Sequence, residues 1–253
     1  MSTPMSRRLV NGLASIALAA TAGTASAATY HYVDWISANV ATGSATGVIT
    51  LPDSSTVNVS FQSYNADGSF GSLYFAQTSG GTNYWSPNTP YLSSEVSNAP
   101  PDSDILALVG GVNQTYVVTL SEAIKDPIMA ILSLGQPGVP TTYDFDSPFT
   151  IVSQGAGYWG GSSSALTALP GDVLQGREGH GTLQFIGTYS TFSWTVPTPE
   201  SWHGFTFGIR TTERLEPTDP GTPVELPGSM ALLGLGLAAF GLFNLNRSNR
   251  RTD

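Results

Sequence analysis

Short runs in which apolar and polar side chains alternate dominate the middle of the sequence. Val57, Val59 and Phe61 alternate with Asn58, Ser60 and Gln62, the period-two pattern of a strand with one buried face. Tyr30, Tyr32, Val33, Trp35 and Ile36 predict a strand over Tyr30 to Val40, followed by a turn over Gly43 to Gly47 and a short strand at Val48 to Leu51. Asp67-Gly68 is a hairpin-type turn pair. Further strands are predicted at Ile105 to Val109, Tyr116 to Leu120, Ile128 to Leu134 and Phe149 to Val152. The last third adds Gly181 to Gly187, Tyr189 to Val196 and Gly204 to Ile209, with Phe205, Phe207 and Ile209 on one face. Short strands punctuated by Gly, Pro, Asn and Asp predict an all-β domain over residues 28–210, an antiparallel β-sandwich of jelly-roll-like form.

Two stretches break this pattern. Ala76 to Asp104 is rich in Ser, Gly, Asn and Pro and holds Tyr84, Trp85 and Tyr91 without period; Gly155 to Ser164 is a second small-residue loop with Tyr158 and Trp159. Structureless loops as long as the first are uncommon in compact domains unless they bind something or move. Tyr84, Trp85, Tyr158 and Trp159 are therefore candidate carbohydrate-binding residues, since flat aromatic faces suit sugar rings. Aromatic side chains also serve simply to plug the ends of a sandwich.

The two ends follow different rules. Arg7 and Arg8, the apolar stretch Leu9 to Ala20 and the small residues Ala25-Ser26-Ala27 read as a signal peptide over residues 1–27, helical and removed by signal peptidase after Ala27. Residues 211–223, with Pro217, Pro220 and Pro223 among acidic residues, read as an extended linker. The tail, 224–253, opens with Val224-Glu225-Leu226-Pro227, continues with the apolar run Met230 to Phe243 and closes with Arg247, Arg250 and Arg251. Pro227 is tolerated at a helix start. From there to Leu245 a helix would run for about 28 Å, close to the hydrocarbon thickness of a bilayer, with the arginines on the cytoplasmic side.

This tail resembles the PEP-CTERM sorting signal: a short proline-containing motif, a glycine- and leucine-rich membrane segment such as Ala231 to Leu237, and a terminal arginine cluster. It differs in carrying Glu225 where the family's motif has its first proline. The stretches Leu174 to Phe185 and Trp202 to Gly208 are similar to the β-rich bodies of other proteins with this tail. The resemblance implies processing by an exosortase, a transient anchorage in the inner membrane, and delivery to the cell surface or an extracellular matrix of exopolysaccharide or biofilm.

Charge narrows the partners. Only 11% of residues are charged, while Gly 28 and Pro 17 are abundant, which suits many turns better than long helices. Without Arg7, Arg8 and everything after Leu226, four basic and seventeen acidic side chains remain, a net charge of about −13. Such a body repels phosphate backbones, so nucleic acid is not an expected partner. The absence of cysteine excludes disulfides and thiolate chemistry.

No catalytic constellation stands out, and the expectation is a non-enzymatic protein. Ser162-Ser163-Ser164 after Gly160-Gly161 does not form a nucleophile elbow. His31, His180 and His203 are too far apart in sequence for a local metal pair. Arg177, Glu178 and His180 between glycines read as a charged hairpin tip. Asp102, Asp104, Asp144 and Asp146 supply paired carboxylates of the kind calcium takes, without a full calcium-loop signature; no other cofactor is expected. The competing readings are an exported glycan-active enzyme on the same scaffold, since its carboxylates would leave no local spacing rule, and a purely structural surface protein.

Overall fold

The computed structural model describes residues 26–210. The expected signal sequence up to Ala25, the linker and the sorting tail lie outside the described residues.

Among the described residues fifteen strands form two antiparallel sheets. In chain order they are β1 (Tyr30–Tyr32), β2 (Asp34–Asn39), β3 (Ser44–Thr50), β4 (Thr56–Asn65), β5 (Phe75–Gln77), β6 (Ile105–Gly110), β7 (Gln114–Lys125) and β8 (Ile128–Leu134). They continue with β9 (Thr141–Phe145), β10 (Phe149–Gly155), β11 (Leu166–Leu169), β12 (Val173–Gly176), β13 (Gly179–Phe185), β14 (Thr188–Thr195) and β15 (Glu200–Arg210). One sheet runs β10-β13-β8-β15-β6-β5, with β1 also paired to β15; the other runs β11-β12-β9-β14-β7-β4-β3-β2.

The inner faces of the two sheets share one core. Val57, Val59 and Phe61 of β4 point inward as their alternation predicts, and so do Phe205, Phe207 and Ile209 of β15. Phe61 and Phe205 meet across the sandwich with ring centroids 5.6 Å apart, and Trp194 packs edge-on against Phe205 at 5.1 Å. Large interdigitated rings supply the burial that stands in for disulfides.

The predicted strand over Tyr30 to Val40 is two strands. Tyr30–Tyr32 pairs with β15 and Asp34–Asn39 with β3, so the chain crosses from one sheet to the other at the buried Val33. The Asp67-Gly68 turn forms as expected, with Gly68 N–H donating to the Asn65 carbonyl and Phe70 bridging back to Tyr64.

The long Ser/Gly/Asn/Pro stretch is neither open nor empty of structure. Residues 78–104 fold over the outer face of the seven-stranded sheet, with one 3₁₀ turn at Thr89–Tyr91. Trp85, Tyr91 and Val96 from this cover pack on Ile128, Ala130 and Leu132, building a second core on the far side of β8. That is why every residue of β8 is buried and why its sequence, apolar except for Ser133, does not alternate. Trp85 Nε1 donates to the Ser103 carbonyl at 3.1 Å, closing the cover on itself.

Candidate functional site

Beside this cover, four aromatic side chains from three segments come together. Tyr84 comes from the cover, Tyr158 and Trp159 from the tip between β10 and β11, and Trp202 from β15. Tyr84 stacks on Trp159 at 5.5 Å between centroids with 28° between planes. Trp159 meets Trp202 at 4.7 Å, Tyr158 meets Trp159 at 4.8 Å, each pair 76° apart in plane, and Tyr84 touches Tyr158 and Trp202 at 5.2 and 5.5 Å. Tyr158 and Trp159 are 43% and 46% exposed, although rings of this size are normally drawn inside. Tyr84 and Trp202 are half-buried beneath them.

Of the four aromatic residues singled out in sequence, three meet here. The expectation for Trp85 is corrected: its ring is 1% exposed, set edge-on to Tyr91 at 5.2 Å in the second core. Tyr84 and Trp85 lie in a turn, where the Trp85 N–H donates to Asn83 Oδ1 at 3.0 Å, and the turn sends the first ring toward the surface and the second onto the sheet. Trp202 was not anticipated: the strand predicted from Gly204 begins after it, and a register shift between Glu200 and His203 interrupts the alternation there.

The tip that carries Tyr158 and Trp159 is seated on a buried polar network. His180 is fully buried; its Nδ1 accepts from the Ser133 N–H at 3.3 Å and lies 3.5 Å from the Tyr91 hydroxyl. Its Nε2 lies 3.3 Å from Glu178 Oε1, and the same oxygen accepts from the Ser133 hydroxyl at 2.5 Å. Ser133 and Glu178 both adopt positive φ, 56° and 61°, a conformation that side chains other than glycine seldom take. The tip closes through paired backbone bonds between Gly157 and Gly160. A Cβ on Gly157 would overlap the His180 imidazole, and one on Gly161 would overlap the Glu178 carbonyl oxygen. Glycine at both positions lets the backbone settle onto the network.

The reading of Arg177, Glu178 and His180 as one exposed charged tip is corrected accordingly. Only Arg177 faces solvent; Glu178 and His180 are drawn under the neighbouring loop. A second carboxylate–histidine pair, Glu200 and His203, is buried nearby on β15. Glu200 Oε2 accepts from the Gly135 N–H at 2.9 Å and lies 3.0 Å from His203 Nδ1, while Tyr143 sets its ring edge-on to His203 at 5.2 Å. Burial, with Glu200 nearby, holds the Tyr143 hydroxyl well above the ordinary phenol range. All four side chains of the two pairs are buried.

The acidic candidates are dispersed. Asp102 is exposed and accepts from Asn83 Nδ2 at 2.8 Å. Asp104 is buried behind it, with its carboxyl pushed up to about 6 by burial and by Asp34. Asp144 is exposed on β9, and Asp146 accepts from the backbone and hydroxyl of Ser193 and from Ser147. Among the described residues no three His, Asp or Glu side chains are close enough to share a metal ion. A shallow hollow of about 430 Å³ on the eight-stranded sheet is floored by Thr46, Asn58, Ser60 and Thr119, with Ile36 at its rim. It has no aromatic ring or charged group to hold a ligand. The aromatic cluster is the better site.

No protein-family profile, no curated protein and no solved structure matches this chain.

Proposed function

We propose that this chain is an exported protein of the cell surface or extracellular matrix that holds exopolysaccharide through the platform of Tyr84, Tyr158, Trp159 and Trp202. The platform is the observation that carries the reading: four aromatic side chains from three separate segments gather at the surface, with the two largest exposures on one tip. Sugar rings carry apolar C–H faces. Covering one with an aromatic face removes both from water while the hydroxyls at the rim stay solvated.

The layout of the two ends supports delivery by signal peptidase and then an exosortase-type enzyme, with the tail as a transmembrane helix held transiently in the inner membrane. The same reading takes the sandwich as jelly-roll-like and the domain as a binding module without catalysis. The secreted protein should be retained on polysaccharide from its own producing cells, and Trp159→Ala with Trp202→Ala should abolish retention. Shortening of the polysaccharide during incubation would replace this reading with a glycan-active enzyme. Mass analysis of the C-terminal peptide should find the tail removed, whereas an end at Asp253 would make it a plain anchor.

A further inference from the structure

Resting on that reading, we infer that the platform takes an uncharged glycan in a bent, soluble conformation, and rejects both flat crystalline chains and polyuronates. Tyr158 and Trp159 are the two most exposed rings of the platform. Tyr158 and Trp159 stand 76° apart with centroids 4.8 Å from each other, so they form a corner and not a flat strip. Trp159 and Trp202 are also inclined at 76°. Tyr84, the ring nearest to parallel with Trp159, is half-buried against it.

A flat, extended chain presents the faces of successive sugars in nearly one plane. It can stack on only one ring of such a corner, and a crystalline sheet cannot reach into the corner at all. A chain that turns between sugars can lay one ring on Trp159 and the next against Tyr158. Each such contact removes apolar area from water on both partners, so two contacts per bent chain outweigh one per straight chain.

Charge excludes the other class. Between residues 26 and 210 there are thirteen Asp and Glu against Lys125, Arg177 and Arg210. Lys125 lies 3.9 Å from Asp126, Arg210 lies over the Tyr30 ring at 5.6 Å, and Arg177 donates to Gln175. Beside the platform itself stands Asp102, tied to Asn83, the residue before Tyr84. A uronate chain would approach this field against repulsion, with no arginine fork to receive its carboxylates.

The test is titration of the full chain, by its tryptophan fluorescence, with maltoheptaose, cellohexaose and alginate fragments of matched length, beside a pull-down on microcrystalline cellulose. We expect maltoheptaose to bind at least tenfold more tightly than cellohexaose, with no retention on cellulose and no response to alginate at low salt. In Trp159→Ala the maltoheptaose response should fall at least tenfold. Equal or tighter binding of cellohexaose, retention on cellulose, or binding of alginate would overturn the inference while leaving a carbohydrate platform in place. Silence toward every probe would overturn the platform reading itself.

Discussion

Asp104 sits where a carboxylate is least at ease, buried at the start of β6 with positive φ and with Asp34 nearby. Its carboxyl is pushed up to about 6 by burial first and by Asp34 second. An acid whose folded value is raised costs nothing below its unfolded value of about 4, costs more as pH rises, and costs its full amount above about 6. Asp104→Asn keeps the shape and tolerates the backbone angle. It should stabilise the protein by about 1–2 kcal/mol at pH 7.5, a gain of about 3–6 °C in Tm, and by nothing at pH 3.5. Thermal melts at the two pH values check this; an equal effect at both would remove the electrostatic explanation. The strained angle and the burial were not legible in sequence, where Asp102 and Asp104 looked equivalent. The same limit applies to Tyr84 and Trp85. Composition marks both, but which one faces the sheet is decided by a turn whose φ and ψ no local pattern encodes.

At the scale of elements, alternation located β4 and the end of β15, and the bounding turn residues located β8 from Ile128 to Leu134, as observed. The short strands β5, β9, β11 and β12 escaped because three to five residues are too few to establish a period; β12 reads Val-Leu-Gln-Gly and gains its place by pairing with β9 and β11. The cover over residues 78–104 escaped for another reason: its apolar residues are spaced to fit a sheet surface and follow no period of their own. The tip between β10 and β11 shows what such an element depends on. In Gly157→Ala the new methyl group must displace the His180 ring or lift the tip, at a cost of about 1–3 kcal/mol. Since Tyr158 is the next residue, glycan affinity should fall about tenfold while the far-ultraviolet circular dichroism stays unchanged. Full affinity in this variant would show that the tip is not seated on the buried network.

For the molecule as a whole, the sequence indicated two sheets but not how they are joined. The chain from Tyr30 to Asn39 hydrogen-bonds to β15 in one sheet and to β3 in the other, and the inner core draws residues from both. The cover adds a third layer whose Trp85 and Tyr91 pack on the back of β8, and Tyr84 continues from that cover into the platform. No layer can leave without exposing apolar surface on the next, so unfolding should be one event. Phe205→Ala, in the middle of the inner core, should lower stability by about 3–5 kcal/mol. Trp194 in the inner core, Trp85 under the cover and the Trp159–Trp202 pair at the surface report from different layers. Urea titrations followed by tryptophan fluorescence, circular dichroism and glycan retention should therefore share one midpoint in the parent, and one lower midpoint in the variant. Loss of retention at a lower urea concentration than loss of the sheets would show that the cover and platform unfold on their own. The platform would then be a hinged surface and not part of the sandwich's cooperative core.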